Sequence, residues 1–236
     1  MRHEGHEAHE EKHLRVKAPG RLNRPSAAKQ EKVEMASNSK GSGIAPLEII
    51  KRYYDPRSRA FASLVPHCTR VMEKALAVAR AVFAMNPDMR FIEEAALLHD
   101  IGIFKVHAPD IGCTGDAPYV CHGVLGREIL EKEGLPRHAL VCERHVGAGI
   151  TAEEVVAAGL PLPVRDMCPV SLEETVVAYA DKFFSKNPSA GNREKPVDEI
   201  VREMAKYGPR QKETFLSWVR RFEPGMLQGI IGVTSV

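Results

Sequence analysis

The sequence predicts an all-α protein, and two observations lead to this prediction. From Pro46 to Phe222, apolar residues recur at three- and four-residue steps, which is the spacing of one face of an α-helix. No segment of comparable strength alternates apolar and polar residues with the period of two that a half-buried strand requires. The 236 residues, of which 44% are hydrophobic and 27% charged, suffice for one substantial core, so we expect one domain with tails.

Composition predicts where this domain begins and ends. Residues 1–43 are rich in His, Glu, Lys, Ser and Gly and show no apolar periodicity, so we expect a disordered N-terminal extension. The helical domain is predicted for residues 44–223 and a short C-terminal tail for residues 224–236. Met35 stands shortly before the first periodic segment, and one hypothesis is that translation begins there.

Charge and cysteine content limit the classes of partner. The formal net charge is only +2, with basic and acidic residues interspersed, so neither nucleic acid nor an anionic membrane is expected as a partner. The five cysteines form no Cys-x-x-Cys pair, which is typical of free thiols in a reducing compartment. No apolar run reaches the roughly 18 to 20 residues of a membrane span. We expect a cytoplasmic protein, and its oligomeric state stays open.

Signals for helix starts and ends divide the domain. Thr151 and Ser171 each precede a glutamate by three residues, which matches the capping-box pattern. Residues 103–120, with several Pro and Gly, are predicted to be an irregular connection of the kind that often forms a binding loop. The predicted helices begin near Pro46, Ser58, Asp88, His122, Pro136, Thr151, Ser171, Val197 and Gln211.

Six histidine and aspartate side chains are predicted to face the interior of these helices. Taken singly, a buried His or Asp is more often a hydrogen-bonded core residue, a cap or half of an ion pair than a metal ligand. Six together are different, because burying four imidazoles and two carboxylates is costly unless metal ions compensate. The predicted ligands are His67, His99, Asp100, His122, His145 and Asp181.

This pattern resembles the HD-domain superfamily of metal-dependent phosphohydrolases, whose motif is a His, a His-Asp pair and a final Asp, frequently with two further His between. The segment His99-Asp100-Ile101-Gly102 spells the name of the HDIG subgroup, and its flanking sequences look like an uncharacterised bacterial group. The resemblance covers about residues 46–222. It implies a single helical bundle with a metal site between the helices.

The resemblance also implies how the ligands are divided. The ligand atoms are nitrogen and oxygen without thiolate, which suits Fe, Mn, Co, Ni or Zn, and Mg also fits. These donors therefore do not identify the metal. They also do not decide whether one ion or two are bound. Asp100 is expected to bridge both ions. One ion would be held by His67, His99, Asp100 and Asp181, and the other by Asp100, His122 and His145.

Hydrolysis of a phosphoester or phosphoanhydride in a small anionic molecule, such as a nucleotide, is the leading predicted function. A metal-activated hydroxide would attack phosphorus, with Asp100 bridging the metals and Lys182 and Arg144 as candidate cations that stabilise the developing negative charge. The order of the ligands in this sequence resembles that of HD-domain diiron oxygenases equally well. Ligand order alone therefore does not separate an oxygenase from a hydrolase. A third reading is a non-catalytic binding module whose metal is structural.

Overall fold

The computed structural model describes residues 43–187 and 193–227, and in these ranges the chain is mostly helical, as predicted. The predicted N-terminal extension, up to residue 42, lies outside the described residues, as does the tail from residue 228. The described ranges contain nine α-helices: α1 Pro46–Tyr53, α2 Arg59–Ala81, α3 Met89–Leu98, α4 His122–Lys132, α5 Pro136–Arg144, α6 Ala152–Ala157, α7 Leu172–Asp181, α8 Val197–Tyr207 and α9 Pro209–Phe222.

Side-chain caps explain where several helices begin. The Ser58 hydroxyl accepts a hydrogen bond from the first turn of α2, and the Asp88 carboxylate does the same for α3. Thr151 forms the predicted reciprocal capping box with Glu154. The second capping box is only half present: Ser171 caps α7, but Glu174 accepts its backbone hydrogen bond from Val170 instead.

The connection between α3 and α4 contains more order than predicted. It consists of short 3₁₀ turns and an antiparallel ribbon of β1, His107–Ala108, and β2, Cys113–Thr114. His107 faces Thr114 across the ribbon. Strands of two residues are too short to show any periodicity, so sequence patterns could not reveal them.

Buried apolar side chains form two clusters, and the His-Asp motif lies where they meet. Ala95 and Ala96 belong to a cluster with the interior of α2, α7, α8 and α9. Leu98 and Ile101 belong to a second cluster with α1, the start of α2, α4 and α5. His99 and Asp100 therefore lie between two packed cores, which restrict their positions.

A buried phenol holds the turn that follows this motif. The Tyr54 hydroxyl donates a hydrogen bond to the carbonyl of Ile101 at 2.8 Å and accepts one from the N–H of Phe104 at 3.2 Å. Tyr54 lies directly after α1 and is 4% exposed. The first helix thus helps to fix the backbone that follows Asp100.

The 3₁₀ turn Ile101–Lys105 approaches α4 through glycine. A methyl group in place of the Gly102 hydrogen would overlap the carbonyl oxygen of His122 and the amide of Gly126. Gly126 in turn lies against Cys142 of α5. These contacts set the distance between the His-Asp turn and the helix that begins with His122.

Gly102→Ala is expected to lower the free energy of unfolding by about 3 kcal/mol, because backbone rather than a flexible side chain would have to move. Urea denaturation followed by circular dichroism measures the change. Gly225→Ala is the matched control, since no atom of residues 43–187 and 193–227 lies within 4 Å of the added methyl group there. Equal midpoints for the two variants would contradict the close-packing argument.

The C-terminal part of the described chain also packs on the core. Residues Pro224–Leu227 form a 3₁₀ turn, and Leu227 is buried in the first cluster. The predicted boundaries of the domain stay predictions. None of the helices in the described ranges combines the length and the apolar character that crossing a membrane requires.

Candidate metal centre

Four of the six predicted ligands form what we call the inner cluster: His67 of α2, His99 and Asp100 after α3, and Asp181 at the end of α7. All four side chains are buried. His67 Nε2 lies 3.2 Å from Asp100 Oδ2 and 3.0 Å from Asp181 Oδ1. The corresponding distances from His99 Nε2 are 3.2 and 3.4 Å.

The outer cluster consists of Asp100, His122 and His145. Asp100 Oδ1 lies 3.4 Å from His122 Nε2 and 3.3 Å from His145 Nε2, and the two nitrogens are 3.1 Å apart. Asp100 therefore turns one carboxylate oxygen toward each cluster. The two groups have the same members as the division of ligands that the family resemblance implies, and their role as metal ligands stays a prediction.

Both clusters fit a divalent ion. Metal–ligand bonds of about 2.0 to 2.2 Å place neighbouring ligand atoms about 3.0 to 3.5 Å apart, which matches every separation above. Within the described residues, His99 Nε2 and Asp100 Oδ1 are buried without a hydrogen bond. Buried polar atoms of this kind are costly unless a cation or a donor compensates them.

Three of the imidazoles are oriented by their own local backbone. In each, Nδ1 lies within hydrogen-bond distance of the carbonyl three residues earlier, where helical turns begin or end. An Nδ1–H that donates to this carbonyl leaves the Nε2 lone pair facing the cluster, as metal ligation requires. The distances are 2.6 Å for His99 to Ala96, 2.7 Å for His122 to Tyr119 and 2.8 Å for His145 to Cys142.

Burial and neighbouring charges shift the pKa values of these groups in opposite directions. Burial lowers the pKa of His122 to about 3, although Asp100 opposes the change, and burial also lowers the pKa of His145. Burial likewise opposes charge on His99 and Asp100. Their mutual attraction nevertheless raises the pKa of His99 and, with Lys186, holds that of Asp100 well below its usual range. The outer imidazoles are thus neutral near pH 7, the form that binds metal.

Two lysines flank the clusters. Lys182 Nζ donates to Asp181 Oδ2 at 2.8 Å and to the carbonyl of His145 at 3.2 Å. Lys186 Nζ lies 2.9 Å from Asp100 Oδ2 and 3.5 Å from Asp181 Oδ1. Lys186 is four residues after Lys182, which would be about one helical turn, but α7 ends at Asp181, so helical spacing could not show that Lys186 reaches Asp100.

A cavity of about 800 Å³ opens beside the outer cluster. Its lining includes both lysines and the outer imidazoles, further polar residues such as Glu154, Lys195 and Glu203, and several apolar side chains. His67 and His99 do not line it. The outer cluster is therefore accessible from the cavity, and the inner histidines lie behind it. The apolar side chains include Val146, Ile150, Leu160, Phe184 and Met204.

Comparison with known families agrees with this geometry. The family model described as HD domain matches residues 64–185, more than half of the chain. The chain belongs to the HD-domain family. Membership in the HDIG subgroup stays a prediction.

Two relatives of this HD domain come from archaea. An uncharacterized protein of Methanocaldococcus jannaschii is 35% identical over 147 residues, which cover 61% of this chain and 76% of that relative. A Thermoplasma volcanium protein named tRNA (cytidine(56)-2'-O)-methyltransferase is 30% identical over 190 residues, which cover 80% of this chain and 47% of that relative. The chain thus spans less than half of the latter. These relatives do not confirm the expected similarity to a bacterial group.

The HD domain is also similar to a solved structure. The crystal structure of the L. monocytogenes phosphodiesterase PgpH HD domain matches with a TM-score of 0.43 and 13% sequence identity. The match covers 79% of this chain and 98% of that chain.

Arg144, a candidate cation in the sequence, is held elsewhere in the HD domain. Its guanidinium forms two hydrogen bonds with Glu174, at 3.0 and 2.9 Å, and it does not line the cavity. Glu174 also accepts the hydrogen bond from Val170 at the start of α7. Arg144 therefore links α5 to α7, and we do not include it among the groups that contact substrate.

Arg144→Gln is expected to reduce the free energy of unfolding by about 1 to 2 kcal/mol, because the half-buried ion pair with Glu174 is lost. Metal content should not change, since Arg144 contacts neither cluster. Thermal denaturation and metal analysis of the same sample measure both effects. If the variant lost metal but kept its stability, Arg144 would again be a candidate residue of the metal site.

Proposed function

We propose that this HD domain is a metal-dependent phosphohydrolase that cleaves a phosphoester or phosphoanhydride of a small anionic substrate. The observation that carries the proposal is the position of Asp100, which turns one oxygen to each of two clusters that fit divalent ions. The accessible cluster opens into a cavity whose lining also includes Lys182, Lys186 and Lys195. Membership in the HD-domain family supports the same reaction class.

Asp100, the outer histidines and Lys182 would have different roles in such a reaction. When bound, divalent ions lower the pKa of water and polarise phosphoryl oxygens. Asp100 would hold the two ions as neighbours, and the neutral imidazoles of His122 and His145 would complete the accessible site. Lys182, tied to Asp181 and to the carbonyl of His145, would present a fixed positive charge to the transferred phosphoryl group.

The cavity supports a substrate with an organic part of moderate size. Its volume of about 800 Å³ lies within the range of about 300 to 1,000 Å³ for small-molecule sites. The apolar side chains of the lining suit a flat or apolar group, and the lysines beside the outer cluster suit phosphate. We therefore place nucleotides first among the substrates to be tested. A cytoplasmic location and the absence of membrane partners stay predictions.

A metal and substrate screen tests the proposal. The protein is purified without added metal, analysed for bound metal, and assayed with Mn, Fe, Co, Ni, Zn and Mg against phosphomonoesters, phosphodiesters and nucleoside polyphosphates. We expect at least one divalent ion per chain and release of phosphate or of a phosphorylated product without oxygen. Turnover that requires oxygen and mixed-valent iron would favour the oxygenase. Bound metal with no turnover would favour the binding module.

A second candidate function follows from the methyltransferase-named relative. The matched region is less than half of that protein, so the activity in its name can reside in the remainder, with an HD domain beside it. The second candidate is therefore hydrolysis of a phosphate group on tRNA, which would overturn the expectation that nucleic acid is not a partner. Adding tRNA with 2'-, 3'- and cyclic terminal phosphates to the screen tests this candidate against free nucleotides.

A further inference from the structure

Lys186 contacts the inner cluster at the atoms where an ion would bind. Its ammonium lies 2.9 Å from Asp100 Oδ2 and 3.5 Å from Asp181 Oδ1. These are the same two oxygens that lie 3.0 to 3.4 Å from the Nε2 atoms of His67 and His99. Lys186 therefore adds a positive charge to a site that already fits a divalent cation.

An ammonium and a divalent ion cannot both remain at these oxygens without strong repulsion, because both are positive and the site is buried. The two anionic oxygens have a limited number of lone pairs directed toward the cluster. Lys186, unlike the four residues of the inner cluster, has a long flexible stem that can move its charge. Entry of an inner ion thus favours movement of Lys186.

The direction of this movement is set by the cavity. The Lys186 side chain is 14% exposed and lines the cavity wall beside Tyr119 and the outer imidazole His122. The Lys182 ammonium, in contrast, is held by Asp181 Oδ2 and a backbone carbonyl. Of these two lysines, Lys186 is the one whose contacts an inner ion would replace.

We propose that Lys186 is a mobile cation that competes with the inner ion for Asp100 and Asp181 and, once displaced, binds the substrate's phosphate in the cavity. The first half concerns metal binding alone. The second half rests on the proposed phosphohydrolase function. Binding of the inner ion would then move the Lys186 ammonium into the cavity. The positive charge that binds phosphate would thus be in place only when the metal is bound.

Calorimetric titration of the metal-stripped full chain with Mn²⁺ tests the competition. Lys186→Gln should bind the inner ion about tenfold more tightly than the unmodified protein, because the competing charge is gone. Lys186→Arg keeps the charge and should stay close to the unmodified protein. Lys195→Gln is the matched control, since Lys195 lines the same cavity but pairs with Glu203. Equal or weaker binding by Lys186→Gln would overturn the competition.

A second measurement uses the unmodified protein and does not depend on the folding of a variant. Limited acetylation followed by mass spectrometry reports how accessible each lysine amine is. Labelling of Lys186 should rise when Mn²⁺ is added and fall again when inorganic phosphate is added, whereas labelling of Lys195 should change little. No rise with Mn²⁺ overturns the displacement, and a rise without protection by phosphate overturns the phosphate-binding half.

These outcomes separate the inference from the proposed function. If the unmodified chain binds no divalent ion in the titration, the proposed function and this inference both fail. If it binds Mn²⁺ and hydrolyses a phosphate ester but Lys186 labelling does not respond, only this inference fails. If Lys186 responds to Mn²⁺ and to phosphate while no substrate is cleaved, the competition holds and the phosphohydrolase proposal fails.

Discussion

Replacement of Asp100 by Asn is expected to remove both ions and to lower kcat/KM by at least about a thousandfold. The reason is the shared carboxylate, since Oδ2 belongs to the inner cluster and Oδ1 to the outer one. An amide keeps the shape but offers one neutral acceptor, and its NH₂ group would point a donor at the other cluster. Metal analysis by mass spectrometry and steady-state kinetics on the same preparation measure the two losses.

Asp110→Asn is the matched control for this variant. It makes the same chemical change at an exposed residue of the connection after the motif, outside both clusters. Circular dichroism would show that both variants are folded. If Asp100→Asn kept two ions per chain, or lost only one, the shared-carboxylate arrangement would be wrong.

Replacing one histidine from each cluster is expected to separate the two ions. His122→Gln leaves the four inner ligands intact, so one ion should remain after dialysis and the second should be lost. His67→Gln leaves the three-ligand outer cluster, whose ion should be removed more readily by a chelator. Each variant should lose about a hundredfold or more in turnover, because a two-metal reaction needs both ions.

His138→Gln is the control for removal of a buried imidazole. His138 lies outside both clusters and pairs with Glu94 at 3.3 Å, so metal content should not change. Chelator titration followed by metal analysis distinguishes the three variants. Loss of both ions from His122→Gln would mean that the inner cluster cannot hold an ion by itself.

The register of the ligands could be predicted because helical periodicity determines which side chains share a face. His67 recurs with Val71 and Ala75 in α2, and all three are buried. Asp181 follows Val177 by four residues in α7 and is buried in the same way. The all-α fold and the convergence of the six predicted ligands follow from such local patterns.

Contacts between neighbouring elements could not be predicted in this way. Arg144 was a candidate only because it precedes His145, yet adjacent helical residues point in different directions, and its guanidinium meets Glu174 instead. Lys186 lies beyond the end of α7, where no periodicity applies. The cavity wall combines residues from several helices and loops, so no single pattern in the sequence describes it.

The hydrogen bonds of Tyr54 have a consequence for where this domain can be cut. The family match begins at residue 64, so it excludes both Tyr54 and the whole of α1. A fragment trimmed to that match would leave the carbonyl of Ile101 and the N–H of Phe104 without the phenol that pairs them, directly after the shared carboxylate. The family match, which begins at residue 64, is therefore shorter than the segment whose contacts hold the turn after Asp100, because that segment also includes α1 and Tyr54.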